Sequence, residues 1–408
     1  MNRELCILCK GGRNLCGKGF CELLAKVRNY FPKRSVKVDS LFGPSPPSLF
    51  VGRHHYPKVN VGALLSSLPT EEKAQVSFLE MPKLWFIYSI EEIIGFRSNL
   101  VLGRKKRGVT LALSPDRYLS TLQELAISFK PLDVELKFHK KIEISFEGRL
   151  DSHYPPMGPA VEPIKTEVCE NPKVRRKVEQ LVNDEDALAT DALYELYISS
   201  TPVYELPRLL SVGLLGQKTS RRLVPTRWAI TAVDDGISKK LINIIKNYPQ
   251  INHVALFRSS LLGNHFYIIL IPDIFSFDMV ETWVKGSFWS YRTVTISDWE
   301  DFNGRKTYAS NVTGAYYAAR LSVCEYLYKK RRQASVLLYR EITPYYYAPL
   351  GVWVIREGVA RAFYKKPEIF SDVEEAVKRV SSEVIQKKWA ESSHLLKERK
   401  EQKKLFHF

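Results

Sequence analysis

The stretch "HYPPMGPAVEP" at residues 153–163 is the strongest constraint on how this chain can fold. Proline fixes φ and lacks the backbone donor that helix interiors and central strands require. Four prolines around one glycine therefore stop any regular element from running through the segment. The expected arrangement is one folded region before it, one after it, and a long surface connection between them. At 408 residues the chain exceeds a typical single domain, which suits two substantial regions. They are expected at 26–154 and 173–390, joined by a Pro-rich connection at 155–172.

Both regions mix strand and helix patterns. Before the boundary, "FVGRHHYPKVNVGALL" reads as strand, turn and strand, and "KLWFIYSIEEII" and "VTLALS" as further apolar strands. "PLDVELKFHKKIEISFEG" alternates with period two, as a half-buried strand or hairpin does. After it, "NPKVRRKVEQLVNDEDALATDALYELYISS" has helical spacing with a break expected near Asn183. "HVALFRSSLLGNHFYIILIP" reads as a hairpin around a Gly-Asn turn. "NVTGAYYAARLSVCEYLYKKRR" reads as a helix ending in basic residues, a preference of helix C-termini. "ASVLLYREI" and "GVWVIREG" read as strands. A final helix is expected from Ser371, where "SDVE" forms a capping box, with Val373, Ala376, Val377, Val380, Val384 and Trp389 on one face. Beyond Trp389 charges displace the apolar stripe, so 391–408 is expected to be a charged, flexible tail. The fold class implied is α+β, and no internal repeat is present.

Hydrophobic residues make up 45% and charged residues 26% of the chain, the usage of a globular protein. No window of about 18 uncharged apolar residues occurs, and "MNRELCILCKGG" lacks a signal peptide's apolar core. The chain reads as cytosolic, with no membrane partner. Sixty-one Lys and Arg against 44 Asp and Glu give a net charge of +17. Such an excess attracts polyanions. The cations bunch as "RKKR" at 104–107, "KVRRK" at 173–177, "RR" at 221–222 and "KKRR" at 329–332. Together they favour nucleic acid over mere solubility. A basic membrane-surface helix would need a broad apolar face beside these runs, which is lacking.

Four of the six cysteines, Cys6, Cys9, Cys16 and Cys21, lie in "CILCKGGRNLCGKGFC" with spacing C-x2-C-x6-C-x4-C. Four thiolates on a glycine-rich loop suit a tetrahedral structural zinc, and the expected unit is a metal knuckle over 1–25. An iron–sulfur cluster or a disulfide pair remains an open alternative. Lys10, Arg13 and Lys18 place positive charge around the loop, which acts either as a clip on the N-terminus or as a contact to a phosphate backbone. Cys169 and Cys324 read as buried or incidental.

"GLLGQKTS" has a gap of two between Gly213 and Gly216 and Gln217 before its Lys, so it is not a phosphate-binding P-loop. "GSFWS" lacks the serine between glycines of a nucleophile elbow. Two stretches invite a functional reading. "GPSPPSLFVGRHHYPKVNVG" sets Arg53, His55 and Lys58 on a turn between Gly52 and Pro57, suited to phosphate or a nucleotide, or else simply a rigid polar turn. "LVPTRWAITAVDD" runs as a strand from Arg227 and Trp228 into Asp234 and Asp235. Adjacent carboxylates at a strand end can hold a divalent metal, and the competing reading makes Asp235 the N-cap of a following helix.

"SPPSLFVGRHHYPKVNVG", "VPTRWAITAVDD", the cysteine knuckle and the terminal "QKKLFHF" together resemble the archaeal Nre family over nearly the whole chain. The resemblance implies a DNA-repair factor with a zinc-finger-like N-terminus and a C-terminal peptide that docks on the sliding clamp, PCNA. It implies no reaction, so enzyme status stays open. Gln402, Leu405 and Phe408 match the docking pattern of Gln, aliphatic and aromatic at three-residue spacing, with the apolar side chains on one face of a helical turn. A tail folded back on its own protein is the alternative. The function expected is DNA binding through basic surfaces together with clamp docking. The rivals are a metal-dependent enzyme on nucleotides or nucleic acid, and an RNA-binding or translation-associated protein.

Overall fold

The structure is a computed structural model that describes residues 5–10, 14–18, 21–31, 33–67, 73–146 and 148–405, without the side chains of 26–28, 73–75 and 402–405. Two short helices, α1 (Leu5–Cys9) and α2 (Glu22–Lys26), open the chain. Two compact units follow from its contacts. The first holds 26–150 and 154–237, and the second holds 1–25, 151–153 and 238–408. The division therefore falls at 237/238 rather than at 155–172.

The first unit contains two sheets. β1 (Ser35–Ser45), β5 (Leu132–Ser145) and β7 (Lys165–Val168) form an antiparallel sheet in the order β1-β5-β7. β2 (Ser48–Val51), β3 (Lys58–Ser66), β4 (Leu100–Gly108) and β6 (Ala160–Val161) form another in that order, with β6 parallel to β4. β5 begins with strict alternation of buried and half-buried positions, as its period-two sequence requires. The Pro-rich segment, expected as a surface connection, is instead an edge of this sheet. Arg149 and Met157 exchange backbone hydrogen bonds of 2.7 and 3.0 Å, and Leu102 donates to the Pro159 carbonyl at 2.8 Å. An edge position demands no outward N–H, which is where prolines are tolerated. Gly158 is obligatory there, because a Cβ would stand 2.2 Å from the Ser98 carbonyl oxygen.

Helices α3 (Lys73–Phe78), α4 (Ile90–Arg97), α5 (Arg117–Ile127), α6 (Arg176–Asn183), α7 (Ala189–Ile198) and α8 (Leu206–Ser211) also belong to this unit, and α6 ends where the break was expected. Two apolar runs read as strands are helical. "KLWFIYSIEEII" forms a 3-10 turn at Pro82–Ile87 and then α4. Ser89 and Glu92 form a reciprocal capping box that starts α4, and buried Trp85 donates its Nε1 proton to the Phe78 carbonyl at 2.9 Å. "VTLALS" is a 3-10 turn, Val109–Leu113.

Helix α9 (Thr226–Ile245) is 20 residues long and carries the 237/238 division within it. The second unit is built on a six-stranded sheet of β8 (Val254–Leu261), β9 (Asn264–Ile271), β10 (Ser276–Trp283), β11 (Val294–Glu300), β12 (Ser335–Ile342) and β13 (Glu368–Phe370). Its order is β11-β10-β12-β9-β8-β13, and β10 and β12 run parallel. The β8–β9 hairpin turns on Leu262 and Gly263 rather than on Gly-Asn. Their φ values of 50° and 76° are both positive, as a tight hairpin turn of this hand requires.

α10 (Gly314–Lys330) is followed by α11 (Trp353–Ala362), where "GVWVIREG" had been read as a strand. Buried on nearly all sides, α11 shows no one-faced periodicity, and its Gly358 lies so close to Phe266 that a Cβ would stand 2.2 Å from the ring. α12 (Val373–Glu383) is capped by Asp372, whose side chain accepts from the Glu375 N–H, rather than by Ser371. Val373, Ala376, Val380, Val384 and Trp389 join the core over the sheet. α13 (His394–Leu405) closes the chain, and its first turns are packed rather than solvated. Buried Asp278 accepts from the Ser393 hydroxyl at 2.7 Å and from the Leu395 N–H at 3.0 Å, and Arg399 pairs with Asp273 at 2.6 Å.

Candidate nucleic-acid interface

The two stretches singled out in the sequence meet in the first unit. At the end of β2 the Val51 N–H donates to Thr226 Oγ1, the first residue of α9, at 2.8 Å. Between β2 and β3 the chain turns through Arg53–Pro57. The turn closes with Gly52 donating to the Asn60 carbonyl at 2.7 Å and Lys58 to the His55 carbonyl at 2.8 Å. His55 takes φ 64°, a left-handed conformation uncommon outside glycine. Gly52 has no such role, since a Cβ there would meet only ordinary contacts, the nearest at 3.5 Å. His54, His55, Tyr56 and Lys58 are exposed and Arg53 is half-buried. Tyr56 faces Trp228 across the turn, with ring centroids 5.3 Å apart and planes tilted by 51°.

The carboxylates are placed differently from either sequence reading. Asp234 and Asp235 lie in the middle of α9, neither at a strand end nor at an N-cap. Successive helical residues point about 100° apart, so Asp234 is buried and Asp235 half-buried. At 1.5 Å per residue, Asp234 lies roughly 10 Å along the axis from buried Arg227. Arg53, His55 and Lys58 are thus grouped at the turn, Arg227 adjoins Trp228 at the start of α9, and the two aspartates are well up the helix. Among the described residues no group of three or more His, Cys, Asp or Glu side chains is arranged to hold a metal.

Further cations border the turn. β3 pairs with β4 so that Lys58 is opposite Gly108 and Asn60 opposite Lys106, and Val109 donates to the Pro57 carbonyl at 2.9 Å. Lys58 and Lys106 form no ion pair among the described residues. Others are committed to structure. Arg107 pairs with Asp116 at 2.7 Å, Lys105 donates to the Ile164 carbonyl at 2.6 Å, and Arg221 holds the carbonyls of Gly216 and Asp184 at 2.8 and 2.7 Å. In the 173–177 run Arg175 pairs with Glu205, and Lys177 with Glu195 at 2.6 Å.

In the second unit a cationic cluster is entirely buried. The Lys10 ammonium donates to Glu281 Oε2 at 3.0 Å and to the Val312 carbonyl at 2.8 Å. Arg340 donates to the other Glu281 oxygen and twice to Asn264 Oδ1, at 3.0 and 2.6 Å. Burial works against the Glu281 charge, but Lys10 and Arg340 outweigh it and hold the carboxyl below its usual range. Burial pushes the Lys10 amine down, with Glu281 opposing. The void beside them, walled by Trp283, Trp289 and Tyr346, is about 20 Å³, room for a single water. This cluster is a fastening for the N-terminal segment. The sequence reading missed its roles, although lone charges inside the apolar runs of β10 and β12 were the available signal.

Cys6 and Cys9 lie on α1, Cys16 is exposed and Cys21 precedes α2, and none of the four is in a disulfide among the described residues. Burial pushes the Cys21 thiol up and the neighbouring Cys9 and Cys16 add to that, while the Leu24 and Leu23 N–H groups donate to its sulfur and oppose the shift. Gln402 and Leu405 fall on the last turns of α13, and Phe408 lies outside the described residues.

The chain matches the family description "Archaeal Nre, N-terminal" over residues 15–290 and "Archaeal Nre, C-terminal" over 300–408. It belongs to the archaeal Nre family. It is similar to DNA repair protein NreA of Archaeoglobus fulgidus, with 42% identity over 94% of this chain and 95% of the relative. DNA repair protein NreB of the same organism is 35% identical over 99% of both chains. DNA repair protein NreA of Haloferax volcanii is 36% identical over 81% of this chain and 80% of its own. No solved structure matches the chain. No helix among the described residues is long and apolar enough to cross a membrane.

Proposed function

We propose that this Nre-family protein acts in DNA repair by holding DNA against the turn at Arg53, His55 and Lys58 while its C-terminal peptide docks on the sliding clamp. The observation that carries the reading is the exposed cationic turn, fastened to α9 through Val51 and Thr226 and bordered by Lys106. Cations held on a rigid scaffold neutralise phosphates at little ordering cost, and contacts of that kind position a duplex or strand without reading its sequence. The test is DNA affinity against salt. The logarithm of affinity should fall with the logarithm of salt concentration with a slope of several units, and Lys58→Ala should reduce that slope by about one. A salt-independent affinity would reject the reading. The enzyme alternative loses its basis in a strand-end carboxylate pair, because Asp234 is buried within a helix.

A structural zinc on the four N-terminal cysteines rests on their C-x2-C-x6-C-x4-C spacing and on the backbone N–H groups that point at the Cys21 sulfur, as such groups do around thiolate ligands, although the four are not gathered around one point. Zinc on Cys6, Cys9, Cys16 and Cys21 would supply local folding energy and no chemistry. Elemental analysis of reduced protein should find zinc. Iron, or no metal, would overturn the assignment.

Clamp docking rests on the Gln402, Leu405 and Phe408 pattern. Aliphatic and aromatic anchors that enter an apolar pocket dominate such interfaces, and PCNA is the partner that pattern fits.

A further inference from the structure

We infer that Tyr56 and Trp228 form a stacking platform for unpaired bases, so that single-stranded DNA is the preferred partner of the cationic turn. The inference rests on the DNA-binding reading above and narrows it to one form of DNA. Trp228 is 46% exposed and Tyr56 50%. Trp85, Trp283, Trp289, Trp353 and Trp389 are all buried, and Trp299 is half-buried and stacked on His394. Trp228 is thus the most exposed of the seven tryptophans. Its contact with Tyr56 is tilted by 51°. A tilted contact leaves ring surface of both partners in solvent, where a closed stack would have hidden it.

The platform is held firmly. Trp228 is in the first turn of α9, where its N–H donates to the Pro225 carbonyl at 2.8 Å, and the same turn is bonded to the end of β2 through Thr226. Tyr56 is presented by a turn whose ends are hydrogen-bonded at Gly52 and Lys58. Exposed His54, His55 and Lys58 flank the rings. Asp116, the carboxylate beside the end of β4, is taken by Arg107. Aromatic faces beside backbone-tracking cations are how strands are bound without regard to sequence. A duplex keeps its bases stacked on one another and offers the rings nothing but edges and phosphate, so the exposed aromatics favour a strand with free base faces.

The experiment compares an oligothymidylate of about 16 nucleotides, the upper site size of a single-strand groove, with a blunt duplex of equal length, using the full chain. Trp228→Ala and Tyr56→Ala should each weaken single-strand binding by roughly 5- to 100-fold and duplex binding by far less. Trp228→Phe should keep most of the affinity. In the unsubstituted protein the oligothymidylate should quench tryptophan fluorescence, a signal that does not depend on any variant folding, and Trp228→Phe should lose the quench. Equal losses on both DNA forms, no loss on either, or no quench would overturn the platform while leaving salt-dependent DNA binding in place. Failure of the unsubstituted protein to bind either form would overturn both readings. Tighter binding of an RNA of matching sequence would overturn the choice of DNA.

Discussion

The buried cluster of Lys10, Glu281 and Arg340 and the exposed turn of Arg53, His55 and Lys58 each bring together a lysine and an arginine, and they do opposite things. In the first, both cations are held by protein acceptors, Glu281, Asn264 and the Val312 carbonyl, and the void beside them holds no more than a water. In the second, His55 and Lys58 stand exposed on a turn beside the Tyr56 and Trp228 rings, with Arg53 half-buried. A net charge of +17 counts both groups alike. What separates them is solvent. A buried cation must be satisfied inside the fold and becomes a fastening, whereas an exposed one keeps its charge available to a polyanion.

That comparison is broken most severely by removing the shared carboxylate. Glu281→Ala would leave two cations buried without an anion, and about 3–5 kcal/mol of unfolding free energy should be lost, as when one member of a buried pair is deleted. Denaturant unfolding reads this directly. A loss below about 1 kcal/mol would mean that water already reaches the cluster. Lys10→Ala should cost less, about 1–3 kcal/mol, because Glu281 keeps Arg340 while the Val312 carbonyl loses its donor. The same substitution should make the N-terminal segment more susceptible to limited proteolysis, since Lys10 is one of its three buried residues among those described, with Ile7 and Cys9. Lys58→Ala should change stability by no more than about 0.5 kcal/mol, as surface substitutions do, while lowering the salt dependence of DNA binding. A destabilised Lys58→Ala protein would show that the turn, too, is a fastening.

The sequence made some of this legible and hid the rest for definite reasons. The alternation of β5 and the core face of α12 follow from burial on one side, and the β2–β3 turn, the β8–β9 hairpin and the break after α6 from local turn and polar signals between apolar runs. Where burial is nearly complete, the pattern disappears. α11 is the case in point, with Arg356 and Glu357 buried alongside its apolar residues, and periodicity cannot tell such a helix from a central strand. The stretch around Trp85 hides its helical turns differently, because its apolar Leu84, Phe86 and Ile87 are exposed. "TAVDD" misled for a related reason. With Asp234 turned inward, its helix shows polar residues where a solvent face is not. The prolines of 155–163 were read as a surface connection because proline interrupts regular structure, yet an edge strand uses that property. The candidate site was legible as two stretches. That Tyr56 and Trp228 meet was not, since an aromatic in a sequence carries no mark of exposure.

The smallest stability effect is expected at the C-terminus, where the comparison takes its sharpest form. Residues 391–399 are fastened like the Lys10 cluster, through Asp278, Ser393, Leu395 and the Arg399 pair with Asp273. Deleting 402–408 leaves all of those contacts intact, so the melting temperature should barely move while clamp binding disappears. Leu405→Ala and Phe408→Ala should each weaken clamp binding by about 1–3 kcal/mol, as truncation of buried anchors does, and Gln402→Ala by less. The competing arrangement has the tail folded back on its own protein. An apolar groove of about 520 Å³ beside the start of α13, lined by Val254, Ile271, Val373, Val377 and Leu396, is where it would go. In that case the deletion would expose the groove, lower the melting temperature and leave clamp association unchanged. Calorimetry with the clamp and a melting curve on the same truncated protein give opposite answers for the two arrangements.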